Sequence, residues 1–481
     1  MPETFLPCAS RCLTKQFYSI LLCIWLISGV WSPSFVQAAT YYVNNQTGSD
    51  EHDGLSEKSS VATIARAIAL CQTSDRIELC NTGRSYRESM LFRKLGGTPD
   101  RPLVLEGNGA VVSGLQALEA SQWKSIGEGV YVLHLEKTPY GNPFLVSRGK
   151  RLPAAKNRDV LKEGEHYWDR KTSRVYFYCE AGKQPADYEL DATLQISGFT
   201  LTSASYISCR NLICEYFSND GFNIHGDCRG IRLENVIARH NGDDGISIHE
   251  AGGLIVQNAY VHDNFYGIQD VNASRSVYNG VLSEMNQVGV SLVGGYHSLV
   301  DCQIRKNARS EIDIAGSNPG HLIGAEQNLL CQTILFAQNV SVFGAGSQMG
   351  LSVRNGARAI MEHSVISGSG TGVYVDRLSH CHLTLTAVSQ CDIVLNLQSK
   401  QCFCDFNLYS PGQFHWLETV YAADQWSEYQ NASQLDPHSR IEELTVGADG
   451  AVSAPGGAMI FSGRKQIVGP TAPFSLRFLQ D

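Results

Sequence analysis

From about residue 199 the chain sets apolar residues two apart in short runs, and those runs return at a spacing near 22 residues. Phe222, Ile246, Ile268, Val290 and Ile312 follow one another at 24, 22, 22 and 22 residues, and Leu351 and Val373 are again 22 apart after an interruption. Two positions on stand Ile224, Ile248, Asp270, Leu292, Ile314, Val353 and Val375, while the residues between (Asn223, Ser247, Gln269, Ser291, Asp313, Ser352, Tyr374) are mostly polar. A period of two places the first two columns inside and the third outside. A unit this short has no room for a crossover helix, so successive strands stack in parallel as coils of one solenoid.

A second strand per coil lies upstream of each turn, at Ile231 to Arg239, Leu254 to His262 and Leu299 to Arg305. Asn219, Asn241, Asn264, Asn286 and Asn307 recur at 22, 23, 22 and 21 residues and are expected at one corner, in the left-handed conformation Asn tolerates. The exposed first coil needs a cover. Ala62 to Cys71 puts Ile64, Ala67, Ile68 and Cys71 on one face of a short helix suited to that place. Strands are expected at Arg76 to Leu79, Met90 to Phe92 and Leu103 to Leu105. The fold class is thus all-β, a parallel β-helix with an N-terminal helical cap.

The organisation follows: cap and first coils over 39–118, a small inserted β-domain over 119–195 where the repeat breaks, the main helix over 196–405, and a C-terminal capping segment over 406–481. Trp123, Tyr131, Trp168, Tyr176 and Tyr178 are expected to form the core of the insertion rather than a sugar-stacking face. Trp416, Trp426 and the run Leu435 to Arg440 read as capping structure.

Residues 1–38 read as a signal peptide: Arg11 and Lys15 precede an apolar run from Phe17 to Val30, and Val36-Gln37-Ala38 is a cleavage pattern. A secreted or periplasmic, monomeric protein with no membrane span is expected. The net charge of −9 argues against nucleic acid as a partner. Three of the 15 cysteines fall in the leader, and the rest lack paired CxxC spacing, so they read mainly as small core residues. Cys71 with Cys80, and Cys209 with Cys214, are the pairs to inspect for a bridge.

The run Gly48 to Ile68 and the turns NDGFNIHG (219–226) and NGDDGISIHE (241–250) resemble the right-handed parallel β-helix proteins of the pectate-lyase-like superfamily, secreted enzymes that act on polysaccharides. The two turns are also similar to the NTDG and GDD motifs of polygalacturonase-type hydrolases. That similarity makes Asp220, Asp243 and Asp244 the acidic positions. The sequence departs from such hydrolases on later coils, where Asn264 to Gly267 and Asn286 to Gly289 replace their Gly-His-Gly and Arg-x-Lys.

Stacking the coils by their asparagines aligns Arg239, His262, Glu284 and Arg305 in one column and His240, Asp263, Met285 and Lys306 in the next, about 4.8 Å apart from coil to coil. These are expected beside the three aspartates. A lyase acting on an acidic, uronate-containing glycan would use Asp220, Asp243 and Asp244 to hold a Ca2+ ion, with Arg239, Arg305 or Lys306 as base or anion clamp. That is the reading the sequence favours. A hydrolase would instead use the paired carboxyls themselves, and a glycan-binding β-helix would use neither. His249 is a further catalytic candidate, and His225, Glu250, His262, Asp263 and His240 are candidates for substrate contact, with His225 and His249 stacked on adjacent coils. Asp270 takes an inward slot and is expected to turn outward at an early strand end.

Overall fold

The computed structural model describes residues 38–136, 140–316, 332–447, 451–453 and 459–461; the leader expected at the N-terminus therefore lies, but for Ala38, outside the described residues. Among the described residues no helix is long and apolar enough to cross a membrane.

The inward columns produce the architecture. Phe222, Ile246, Ile268, Val290, Ile312, Leu351 and Val373 are all fully buried, and so are Ile224, Ile248, Leu292, Ile314, Val353 and Val375. Strands Phe222–His225, Asp244–Ile248, Tyr266–Val271, Val288–Val293, Ser310–Ala315, Met349–Arg354 and Thr371–Val375 pair in parallel, with Phe222 beside Ile246, Ile246 beside Ile268 and so on up the stack. This ladder belongs to a 12-stranded sheet, and a 21-stranded sheet closes the remaining sides. The result is a right-handed parallel β-helix of about 9 turns.

Helix Ile64–Leu70 covers the N-terminal end, with Ile64 and Ala67 buried against the core and Thr63 Oγ1 capping it by accepting from Arg66 N at 3.1 Å. At the far end Tyr409, Phe414, Trp416 and Tyr429 join the same core, where Trp426 packs on them. Between Leu115 and Thr193 the chain leaves the helix to form two four-stranded antiparallel sheets. Trp123, Leu133, Phe177 and Tyr188 form their core, and Tyr131 and Trp168 pack against it.

Two expectations need correcting. The first concerns the corner. Asn241, Asn264, Asn286 and Asn307 do form a buried ladder, in which each backbone N–H donates to the next Oδ1 at 2.9–3.0 Å. The left-handed residue, however, is the one before each Asn: His240, Asp263, Met285 and Lys306, with φ of 55–57°. Asn219 stands outside this ladder, because Phe217 occupies its place and donates its N–H to Asn241. The ladder ends on Glu311, which accepts from Asn307 N at 3.1 Å and Asn307 Nδ2 at 2.6 Å.

The second is Asp270, which stays in strand Tyr266–Val271 and points inward. It is fully buried, because Ser276 Oγ and Tyr278 Oη donate to it at 2.5 and 2.8 Å and His297 Nδ1 lies 3.2 Å away. A polar pocket inside the helix satisfies it, which removes the reason for the strand to stop. The cysteines follow the expectation instead: neither pair is bridged, and Cys209 and Cys214 are buried free thiols of the core.

Candidate functional site

The carboxylates owe their position to the asparagine ladder. In the coils carrying them, Phe217 to Phe222 and Asn241 to Ile246, one more residue separates the ladder position from the first inward side chain than in the coil from Asn264 to Ile268. Glycine must follow each aspartate, since a Cβ on Gly245 would stand 2.6 Å from Gly267 O and 2.9 Å from Asn264 Nδ2. The extra residue and the glycine hold Asp220 and Asp244 at the lip of the sheet, on adjacent coils.

Asp220 and Asp244 are almost wholly buried, at 2 and 3 % exposure, and Asp243 is half-buried. Asp220 Oδ1 accepts from Asp244 N at 3.2 Å and Oδ2 accepts from Asn219 Nδ2 at 2.6 Å, whereas Asp244 Oδ1 is buried without a hydrogen-bond partner. Burial, with the Asp243 charge, pushes the Asp220 carboxyl up to about 8. Burial also lifts Asp244 well above the carboxylate range, aided by Asp220 and Asp243, and raises Asp243. Carboxyls taken out of water with like charges as neighbours keep their protons.

At the ends of the two adjacent strands, the His249 and His225 rings stack at 4.2 Å. Ser247 Oγ donates to Gln269 O at 3.0 Å and lies 3.0 Å from His249 Nε2. Burial, and then His225, hold His249 down to about 4, a neutral imidazole. Glu250 accepts from Gly226 N at 2.7 Å and lies 3.6 Å from His225. One ligand atom each from Asp220, Asp244 and His249 lies within 4.8 Å of the others.

The basic columns align as expected, with Arg239 beside His262, His262 beside Glu284, and Glu284 beside Arg305. They do not join the aspartates. Arg239 Nε pairs with Glu215 and Arg305 Nε with Glu284, both at 2.8 Å, Lys306 is exposed, and among the described residues no ion pair links any of the three to Asp220, Asp243 or Asp244. Each arginine finds a glutamate one coil away, which the column order could have suggested. His240, His262 and Asp263 form a second cluster, with His262 Nδ1 at 2.6 Å and His240 Nδ1 at 3.9 Å from Asp263 Oδ2.

Three neighbours escaped the sequence reading. Tyr266 is the register partner of Asp244, and Phe265 N donates to Asp243 O at 2.8 Å. Further along the face Arg354 forms a two-point pair with Asp313. From the insertion, Asn142 N donates to Ser218 O at 2.5 Å and its Nδ2 to Gly242 O at 3.1 Å. Tyr266 was legible in the column two positions before Ile268; the contact of Asn142, 100 residues from Gly242, leaves no signal in a repeat.

The set of three aspartates is a poor match for calcium, which asks for six to eight oxygens. Both Asp220 oxygens are already committed, and the group that converges replaces Asp243 by an imidazole.

No family model and no curated protein matches the chain. Among solved structures it is similar to XylC in complex with xylose, at 13% identity and a TM-score of 0.55, over 84% of this chain and 82% of that one. It is also similar to a protein described as a glycoside hydrolase, at 12% identity and a TM-score of 0.52, over 84% and 95%. At such identities the likeness is one of fold, and it defines the chain as a right-handed parallel β-helix protein.

Proposed function

We propose that the protein is a secreted polysaccharide-degrading enzyme that cleaves its substrate by hydrolysis at Asp220, Asp243 and Asp244. The observation that carries this reading is the pair Asp220 and Asp244: two buried carboxyls on adjacent coils, raised in pKa and without a Lys or Arg partner among the described residues. Such a pair retains a proton at neutral pH, which is what a general acid must bring to a glycosidic oxygen. Asp243, the member that reaches solvent, serves as the base that draws a proton from the attacking water. The polysaccharide-acting character of the β-helix proteins it resembles in fold agrees with this chemistry.

The sequence alone favoured a lyase, which remains the second reading; the raised carboxyl pair is what supports hydrolysis. A lyase needs a free cationic group at the sugar carboxylate; Arg239 and Arg305 are held by Glu215 and Glu284, which leaves the exposed Lys306 for that role.

The test is incubation with a panel of acidic and neutral polysaccharides. Hydrolysis releases new reducing ends without ultraviolet absorbance; unsaturated, absorbing products would return the reading to a lyase, and no products to a glycan-binding protein.

A further inference from the structure

We infer that His240, His262 and Asp263 form a binding site for a first-row transition-metal cation, separate from the aspartate turn. One ligand atom from each of the three lies within 4.8 Å of the others, a span one metal ion can bridge. Two imidazoles and one carboxylate suit zinc or cobalt rather than calcium or magnesium, which prefer all-oxygen shells.

The backbone sets this cluster up. His240 and Asp263 are register neighbours at the left-handed corner position, φ 57° and 55°, which turns both side chains to the same side of the solenoid. His262 comes in beside them from the column next door, where Arg239 is its partner on the preceding coil.

The rings are also held. Tyr216 stacks on His240 at 5.0 Å and Tyr260 on His262 at 4.2 Å. Those tyrosines are themselves fixed, Tyr216 Oη donating to Gly149 O at 2.9 Å and Tyr260 Oη to Glu284 Oε1 at 2.6 Å. Supports of this kind around the ligands are what keep a metal site in shape. Two guanidiniums act on His240: Arg239 is neutralised by Glu215, and Arg151 is held over the Phe144 ring.

The experiment is calorimetric titration of the chelator-treated mature chain with Zn2+, and visible spectroscopy with Co2+. One equivalent bound, with cobalt d–d bands, is expected, and His240→Gln or Asp263→Asn should each weaken it by about 100-fold. Asn tolerates the left-handed conformation, so the Asp263 variant keeps the corner, and circular dichroism checks its fold. Asp244→Asn and His249→Gln should leave metal binding unchanged, which separates this site from the aspartate turn. Absence of stoichiometric binding, or loss of binding in the Asp244 or His249 variants but not in the His240 and Asp263 variants, would overturn the assignment.

Discussion

The backbone N–H of Asp244 donates to Asp220 Oδ1 across one coil step at 3.2 Å, so the turn that presents one carboxyl is fastened by the other. Asp220 in turn adds to the unfavourable surroundings of Asp244, whose carboxyl is raised by burial and then by Asp220 and Asp243.

This has a pH signature. A carboxyl whose pKa is higher folded than unfolded is compatible with the fold below about pH 4, and its stability contribution is lost as pH rises toward the folded value. For Asp220 that window runs from about 4 to about 8. Asp244→Asn keeps the shape without a group to ionise, so its melting temperature should exceed that of the parent at pH 8, with the gap closing toward pH 4. Equal melting temperatures at both pH values would contradict the burial argument.

The asparagine ladder should respond as a structural spine. Asn286 accepts from Asn264 N and donates to Val261 O and Asn307 Oδ1, all in the interior. Replacing it by leucine strands several buried polar groups, each costing about 1–3 kcal/mol. Urea unfolding of Asn286→Leu should lose about 2–4 kcal/mol.

Inside the helix, Tyr278→Phe removes the 2.8 Å donor to Asp270 and leaves the Ser276 bond. A loss of about 1–3 kcal/mol is expected in the same assay, and no change would mean that Asp270 is satisfied by other groups.

The side chain of Asn142 ties the insertion to the turn at Gly242, next to Asp243. Asn142→Ala should raise KM about five-fold, the worth of roughly 1 kcal/mol, and leave kcat within about two-fold. A fall in kcat with unchanged KM would place Asn142 in the chemistry rather than in substrate positioning.

The solenoid was legible because its signal is a column: Phe222, Ile246 and Ile268 announce the register by spacing alone. The stacking of His225 on His249 and of Arg239 beside His262 followed from the same arithmetic. What the arithmetic missed has local causes. Phe217 takes the ladder place that Asn219 was expected to fill, since it stands five residues before Phe222 as Asn241 does before Ile246, while Asn219 stands only three. Asp270 runs against its column because Tyr278, Ser276 and His297 supply a polar lining from another sheet. Arg239 and Arg305 turned to glutamates on their own column, a choice of nearest opposite charge that a list of candidate bases does not weigh.

The most direct test of the carboxylate site is turnover of Asp243→Asn on a polysaccharide the parent hydrolyses. Asp243 is only half-buried, so the variant should keep the parent's circular dichroism. Turnover should fall by about 10²–10⁴-fold, the span of a lost general acid or base. Undiminished release of reducing ends by a folded Asp243→Asn would contradict the site.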